Sequence, residues 1–152
     1  MKRKPPITFR AYADAKHGFW CVVRVFETPA QMRGDIRRTL GSCGKDTVGQ
    51  TTGATRIMAN GKRQDIMRGC FAIMWLNRVT MTKWPSEVNA HEAVHAGIRY
   101  FERRGWPVCL HQETREGAPD VHERRLEERL AYAVGRIAKY ITRGLFRHGV
   151  WK

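Results

Sequence analysis

The stretch from 86 to 102 reads SEVNAHEAVHAGIRYFE, and the rest of the chain is best interpreted outward from it. It contains no proline, and apolar side chains recur at helical spacing, at Val88, Val94, Ile98 and Phe101. We therefore predict a helix over about 86–104 that has Ser86 as its N-cap and ends near Gly105.

The centre of this helix carries an H-E-x-x-H pattern, at His91, Glu92 and His95. Four residues turn a helix by about 400°, so the two imidazoles leave one face and can share a metal ion. We expect them on the apolar flank of the helix. Neutral imidazole suits Zn²⁺, and Glu92 is placed to take a proton from a metal-bound water. The alternative is a surface helix that happens to hold two histidines.

A catalytic zinc site needs a third protein ligand, and two adjacent carboxylates are candidates. Glu127 and Glu128 lie in a second predicted helix. Helical spacing favours Glu127, which shares a stripe with Leu130, Val134, Ala138 and Ile141. Alternatively, both carboxylates belong to a solvated face with the neighbouring arginines.

The order strand, H-E-x-x-H helix, loop and Glu-bearing helix resembles zincin metallopeptidases of the gluzincin type. Residues 89–96 (NAHEAVHA) and 127–132 (EERLAY) look like small metallopeptidase-like proteins of phages and prophages, over about 70–142. The resemblance implies Glu128 as the third zinc ligand. Tyr132, a candidate to support the oxyanion, and Gly135, a close-packing glycine, would share its face.

Two other zincin patterns differ in their third ligand. A metzincin would have Gly at 98 and His at 101, where Ile98 and Phe101 stand. A three-histidine site like that of SprT-type proteases would take His111 or His122 as the third ligand, and this alternative stays open.

The strands are predicted from β-branched and aromatic runs. We expect a hairpin of 7–13 and 19–26, followed later by a loop over 41–53. A strand at 54–59 is expected to end in an Asn60-Gly61 turn. A further strand at 70–80 is followed directly by the motif helix. Other helices are expected at 29–40 and at about 120–146, the latter beginning with an Asp120 and Glu123 capping box. Residues 106–119 read as irregular.

This layout is α+β: a minimal zincin-like fold in which a small N-terminal sheet packs against the motif helix and a long C-terminal helix. We expect one domain over 1–152, with 1–6 as a disordered basic tail.

Charge and cysteine usage bear on partners and location. The formal net charge is +14, from 28 Lys and Arg against 14 Asp and Glu, which favours nucleic acid or an acidic protein surface as a partner. The four cysteines form no C-x-x-C, and we expect neither a secretory leader nor a membrane span. We expect a cytoplasmic protein, in the host cell if it is phage-encoded.

The sequence therefore predicts a zinc-dependent metallopeptidase acting on a protein or peptide substrate. The alternative is a basic zincin-fold binding protein that contacts nucleic acid or a host protein, such as a phage antidefence or regulatory factor, with a structural zinc.

Overall fold

The computed structural model describes residues 4–57, 63–65, 67–108 and 121–152. The strands are β1 (Ile7–Asp14), β2 (Phe19–Phe26), β3 (Gln50–Gly53), β4 (Thr55–Ile57), β5 (Arg63–Asp65) and β6 (Cys70–Asn77). The helices are α1 (Pro29–Leu40), α2 (Arg78–Lys83), α3 (Pro85–Arg104) and α4 (Val121–Arg147). The predicted α+β class is confirmed.

Four strands form one sheet in the order β1-β2-β6-β3. β1 and β2 make the predicted antiparallel hairpin, β2 and β6 run parallel, and β3 is antiparallel to β6. All eight residues of β6 are buried, as expected for a continuous apolar strand covered on both faces. β4 and β5 form a separate antiparallel pair.

Helices cover both faces of the sheet. Alternate β2 residues, including Cys21, Val23 and Val25, join the core beneath α3 and α4. The residues between them, including Trp20 and Val22, join a second core with Met32 and Ile36 of α1. On the shared face α4 lies against β1, whereas α3 lies against β6 and β3. The motif helix is thus placed at the β3 edge of the sheet.

Helices α3 and α4 cross closely at Gly97. A Cβ at this position would lie 2.6 Å from Val134 Cγ2 and 3.3 Å from Leu130 Cδ1. One end of the contact is fixed by Asn89 Nδ2, which donates to Thr142 Oγ1 at 3.0 Å. The two helices therefore run antiparallel, with the early part of α3 beside the late part of α4.

The predicted apolar stripe of α4 is confirmed, because Ile141 is fully buried and Leu130, Val134 and Ala138 pack against the core. The close-packing role predicted for Gly135 is wrong. Gly135 is exposed and a Cβ there would meet nothing within 4 Å, so the glycine that admits the neighbouring helix is Gly97.

The junction between β6 and the motif helix differs from the prediction. The strand ends at Asn77, whose side chain accepts a hydrogen bond from Thr80 N at 2.9 Å and starts the unpredicted helix α2. α3 then begins at Pro85, in the tolerated first-turn position, with Trp84 rather than Ser86 as its N-cap. Its predicted end is confirmed, since Gly105 adopts the left-handed conformation.

The predicted 41–53 loop was wrong at its C-terminal end, where Gln50–Gly53 pairs with β6. β4 falls within the predicted 54–59 strand, while Asn60, Gly61 and Asp120 lie outside the described residues. Of the predicted disordered tail, residues 1–3 lie outside the described residues, and Lys4, Pro5 and Pro6 line a groove beside α1. Within the described ranges no helix is long and apolar enough to cross a membrane.

The crossing at Gly97 yields a stability prediction. We expect Gly97→Ala to lower the free energy of unfolding by about 1–3 kcal/mol, because the added methyl group overlaps Val134. Gly135→Ala is the matched control, since it adds a methyl group to open space and should stabilise the helix by about 0.5–1 kcal/mol. Urea unfolding measures both. Equal effects of the two substitutions would contradict the close helix crossing.

Candidate metal and catalytic site

His91 and His95 project from adjacent turns of α3 and converge. Their Nε2 atoms are 3.1 Å apart, and the ring planes meet at 82°. Two nitrogens bound to one tetrahedral zinc ion at about 2.0–2.1 Å would be about 3.3–3.4 Å apart. The same distance also suits a hydrogen bond between the two rings. The positions of the two Nε2 atoms are therefore compatible with a shared zinc ion, but a hydrogen bond alone also accounts for them.

The histidines do not lie on the apolar flank, which corrects the sequence prediction. Both are exposed, and Val94 between them is 42% exposed. The buried face of α3 instead combines small residues such as Ala93 and Ala96 with the polar Asn89 and Glu92. Small side chains on this face let α3 approach the sheet and α4 closely. A sequence analysis based on the spacing of large apolar residues does not detect a buried face made of small ones. The outward position leaves the imidazole nitrogens open to solvent.

Glu92 is the buried member of the motif, with only 3% of its surface exposed. Its Oε2 accepts a hydrogen bond from Thr51 Oγ1 of β3 at 2.6 Å. Burial raises the pKa of Glu92, and the hydrogen bond from Thr51 and the charges of His91 and His95 oppose that shift. The carboxylate is thus oriented by a strand while sitting beside both imidazoles.

The chain just before β3 approaches the same carboxylate. A Cβ at Gly49 would lie 2.9 Å from Glu92 Oε1, so a side chain here would displace the carboxylate or the loop. Asn77 Nδ2 donates to the carbonyl oxygen of Val48 at 2.9 Å, which ties this loop to the end of β6. Both sides of the Glu92 carboxyl group are therefore fixed by the segment that includes β3.

A groove of about 570 Å³ opens beside the motif. Its apolar walls include Val48 and Trp84, which are 46% and 43% exposed, and the imidazole of His91 and the carboxylate of Glu92 lie along it. Among the described residues, the groove is lined by Val48, Trp84, Glu87, Val88, His91 and Glu92.

Sequence analysis missed Thr51, Gly49 and Val48 as parts of this site. Thr51 and Glu92 are 41 positions apart, and the segment around Thr51 has the Gly- and Thr-rich composition of a loop. No local pattern signals a contact across that distance. The contact arises because β3 pairs with β6 next to α3.

The structure does not bring the predicted third ligands to the histidines. Arg129 lies over the Trp106 ring, 5.4 Å from its centroid, just beyond the end of α3. Continuing the antiparallel register places Glu127 and Glu128 beside the last turn of α3, about 12 Å beyond His95. Across the described ranges, no three His, Cys, Asp or Glu side chains are grouped to hold a metal ion.

The other residues predicted for the site are Tyr132, His111 and His122. Tyr132 is 69% exposed on α4 and does not line the groove, so its oxyanion role stays a prediction. His111 lies outside the described residues, and His122 is in the first turn of α4 with its side chain outside the described set. His91, His95 and Glu92 fit part of a zinc site, namely two nitrogen ligands and a base.

The hydrogen bond to Glu92 can be tested directly. Thr51→Val removes the donor and leaves a buried carboxylate without its partner, so the free energy of unfolding should fall by about 1–3 kcal/mol. Thr52→Val is the control, because no side-chain hydrogen bond of Thr52 occurs within the described part of the chain. Urea unfolding at neutral pH measures both variants. A loss no larger for Thr51→Val than for Thr52→Val would show that the bond does not hold Glu92.

Comparison with protein-family models, curated proteins and solved structures finds no match to the chain. The features of the chain that bear on activity are therefore the convergence of His91 and His95 and the buried carboxylate of Glu92.

Proposed function

We propose that this chain is a zinc-dependent hydrolase of peptide bonds, with His91 and His95 as metal ligands and Glu92 as general base. The observation that carries the proposal is the 3.1 Å approach of the two Nε2 atoms next to a carboxylate that is buried and oriented by Thr51. Two exposed histidines on an ordinary surface helix do not require a buried carboxylate between them.

The metal and Glu92 would have different roles in the reaction. A bound zinc ion would supply a Lewis acid that makes a water molecule acidic enough to lose a proton near neutral pH. Oε2 of Glu92 accepts the hydrogen bond from Thr51, so Oε1, on the side of the carboxyl group that faces Gly49, is the oxygen that would accept that proton. The water oxygen would add to the peptide carbonyl carbon, and Glu92 would pass the proton to the amine as the C–N bond breaks.

The neighbouring strand favours an extended peptide as the substrate. β3 is at the edge of the sheet, and within the described residues its main chain pairs only with β6. Such an edge offers backbone donors and acceptors to a peptide that adds as a further strand. Thr51 places this edge directly beside Glu92, so a peptide bound there would have its amide groups near the base.

The groove beside the motif would receive a side chain of that peptide. Val48, Val88 and Trp84 provide apolar surface, and His91 and Glu92 lie along the same groove. We therefore expect substrates with an apolar or aromatic side chain next to the cleaved bond, because such a side chain would bury the most apolar surface in the groove.

Zinc content and peptide cleavage test the proposed function. Protein purified without chelator should contain one zinc ion per chain, and His91→Ala or His95→Ala should remove it, while His17→Ala should not. Glu92→Gln should keep the zinc and lower cleavage of a quenched fluorescent peptide library about 10²- to 10⁴-fold, because the base is lost. Glu102→Gln, an exposed carboxylate on the same helix, is the control for the change in charge.

Two results would overturn the proposal. One is protein that neither contains nor takes up zinc. The other is a peptidase activity that Glu92→Gln leaves unchanged. Zinc that is bound and needed for stability, with no cleavage of any peptide, would favour the alternative of a structural metal in a binding protein.

The identity of the third ligand is a separate prediction. The resemblance to gluzincins implies that Glu128→Ala weakens zinc binding strongly while Glu127→Ala leaves it nearly intact; the stripe on α4 implies the reverse. Competition with a chromogenic chelator measures the affinity. If neither carboxylate matters and His111→Ala or His122→Ala does, the site is a three-histidine one and the gluzincin assignment fails.

A further inference from the structure

The exposed side of α4 carries a line of positive charge. Arg129, Arg136, Lys139, Arg143 and Arg147 are all exposed. They follow one another at steps of seven, three, four and four residues, which keeps them on one stripe of the helix over about 27 Å. We call these five side chains the α4 cation line.

The α4 cation line lacks counter-charges. The sequence from 129 to 152 contains no Asp or Glu. Some arginines elsewhere in the described structure form ion pairs, for example Arg24 with Asp35 and Arg99 with Glu102. In the same part of the chain no member of the α4 cation line forms an ion pair. A helix face that is only solvated usually mixes both signs of charge, so this face is arranged for an anionic ligand.

One carboxylate lies near the middle of the line. Asp14, at the end of β1, forms an ion pair with His17 at 2.7 Å. Burial acts to raise the pKa of Asp14, but hydrogen bonds from His17 and the charges of His17 and Arg136 together lower it. Asp14 is thus already engaged by His17 and offsets only part of the charge of Arg136.

A groove of about 360 Å³ runs alongside the α4 cation line, where β1 meets α4. Phe9 stacks on His148 with centroids 5.6 Å apart, and Tyr12 meets Tyr140 at 5.3 Å. Each of these four rings lines the groove and is at least partly exposed.

The backbone of α4 is adapted to this groove. A Cβ at Gly144 would lie 2.2 Å from Phe9, so only glycine allows the Phe9 ring to lie against the helix here. Arg143 and Arg147 flank this glycine on α4, and Arg10 of β1 lines the groove from the opposite side. Rings and guanidinium groups therefore alternate around one opening.

We propose that the α4 cation line and the adjoining ring-lined groove form a binding surface for nucleic acid. Arginine and lysine side chains neutralise phosphates, and exposed rings stack on unpaired bases, so the combination favours a single strand over a duplex. A bilayer is a poorer fit, because the apolar face of α4, with Ile137, Ile141 and Leu145, is buried in the protein core.

This surface is separate from the candidate metal site. β1 and β3 are the two edges of the sheet, with β2 and β6 between them. The α4 cation line lies on the helix that packs against β1, whereas His91 and Glu92 lie on the helix that packs against β3. Nucleic acid and a peptide can therefore be bound at the same time, and each surface can be altered without the other.

The test is a fluorescence anisotropy titration of the full chain with a labelled oligothymidylate of about 20 nucleotides and with a duplex of equal length, between about 50 and 200 mM salt. Arg143→Gln with Arg147→Gln should weaken binding to the single strand at least about 10-fold at 100 mM salt. The slope of log affinity against log salt should become shallower by about 1.4, because two phosphate contacts are lost.

The matched control is Arg33→Gln with Arg37→Gln on α1, which removes the same charge from the other face of the sheet. It should change the affinity less than about two-fold, and Glu92→Gln should leave the affinity unchanged. Three outcomes overturn the proposal: no binding to either oligonucleotide at the lowest salt, equal losses in the two double variants, and tighter binding to phosphatidylserine vesicles than to the single strand. Tighter binding to the duplex would retain the phosphate contacts and overturn the role of the groove.

Discussion

The arrangement at the β3 edge depends on one buried carboxylate. Glu92 lies between α3 and the sheet, where an ionised group is costly unless hydrogen bonds or positive charge compensate it. Thr51 supplies a hydrogen bond, and the charges of His91 and His95, one residue before and three residues after Glu92, favour its ionised form. A Cβ at Gly49 would lie 2.9 Å from Glu92 Oε1, so the absence of a side chain there leaves room for the carboxylate.

The sheet separates two chemically different edges. At the β3 edge, an imidazole pair and a carboxylate border an apolar groove, which suits an extended peptide. At the β1 edge, the α4 cation line and partly exposed rings border a second groove, which suits a phosphate backbone and bases. Five of the 28 Lys and Arg side chains lie on this helix segment, which contains no Asp or Glu. Proteolysis of proteins on nucleic acid would use both edges.

Sequence patterns predicted the elements whose own residues specify them. The hairpin, α1 and the buried stripe of α4 follow from local periodicity and caps. The patterns failed at β3, which is a strand only because it pairs with β6. They also missed α2, although its cap is local: Thr80 N donates to the side chain of Asn77, three residues earlier. In the site, His91, Glu92 and His95 were predictable from one turn of helix, whereas Thr51 acts across 41 positions and carries no local signal.

The central claim is that His91 and His95 bind one zinc ion together. X-ray absorption at the zinc edge, on protein purified without chelator, tests it most directly. We expect two imidazole nitrogens at about 2.0–2.1 Å from the zinc ion, with nitrogen or oxygen as the remaining ligands. The imidazole signal should be lost in the variant that replaces both histidines by alanine. A zinc ion held by sulfur at about 2.3 Å, or an imidazole signal that survives that double substitution, would contradict this claim.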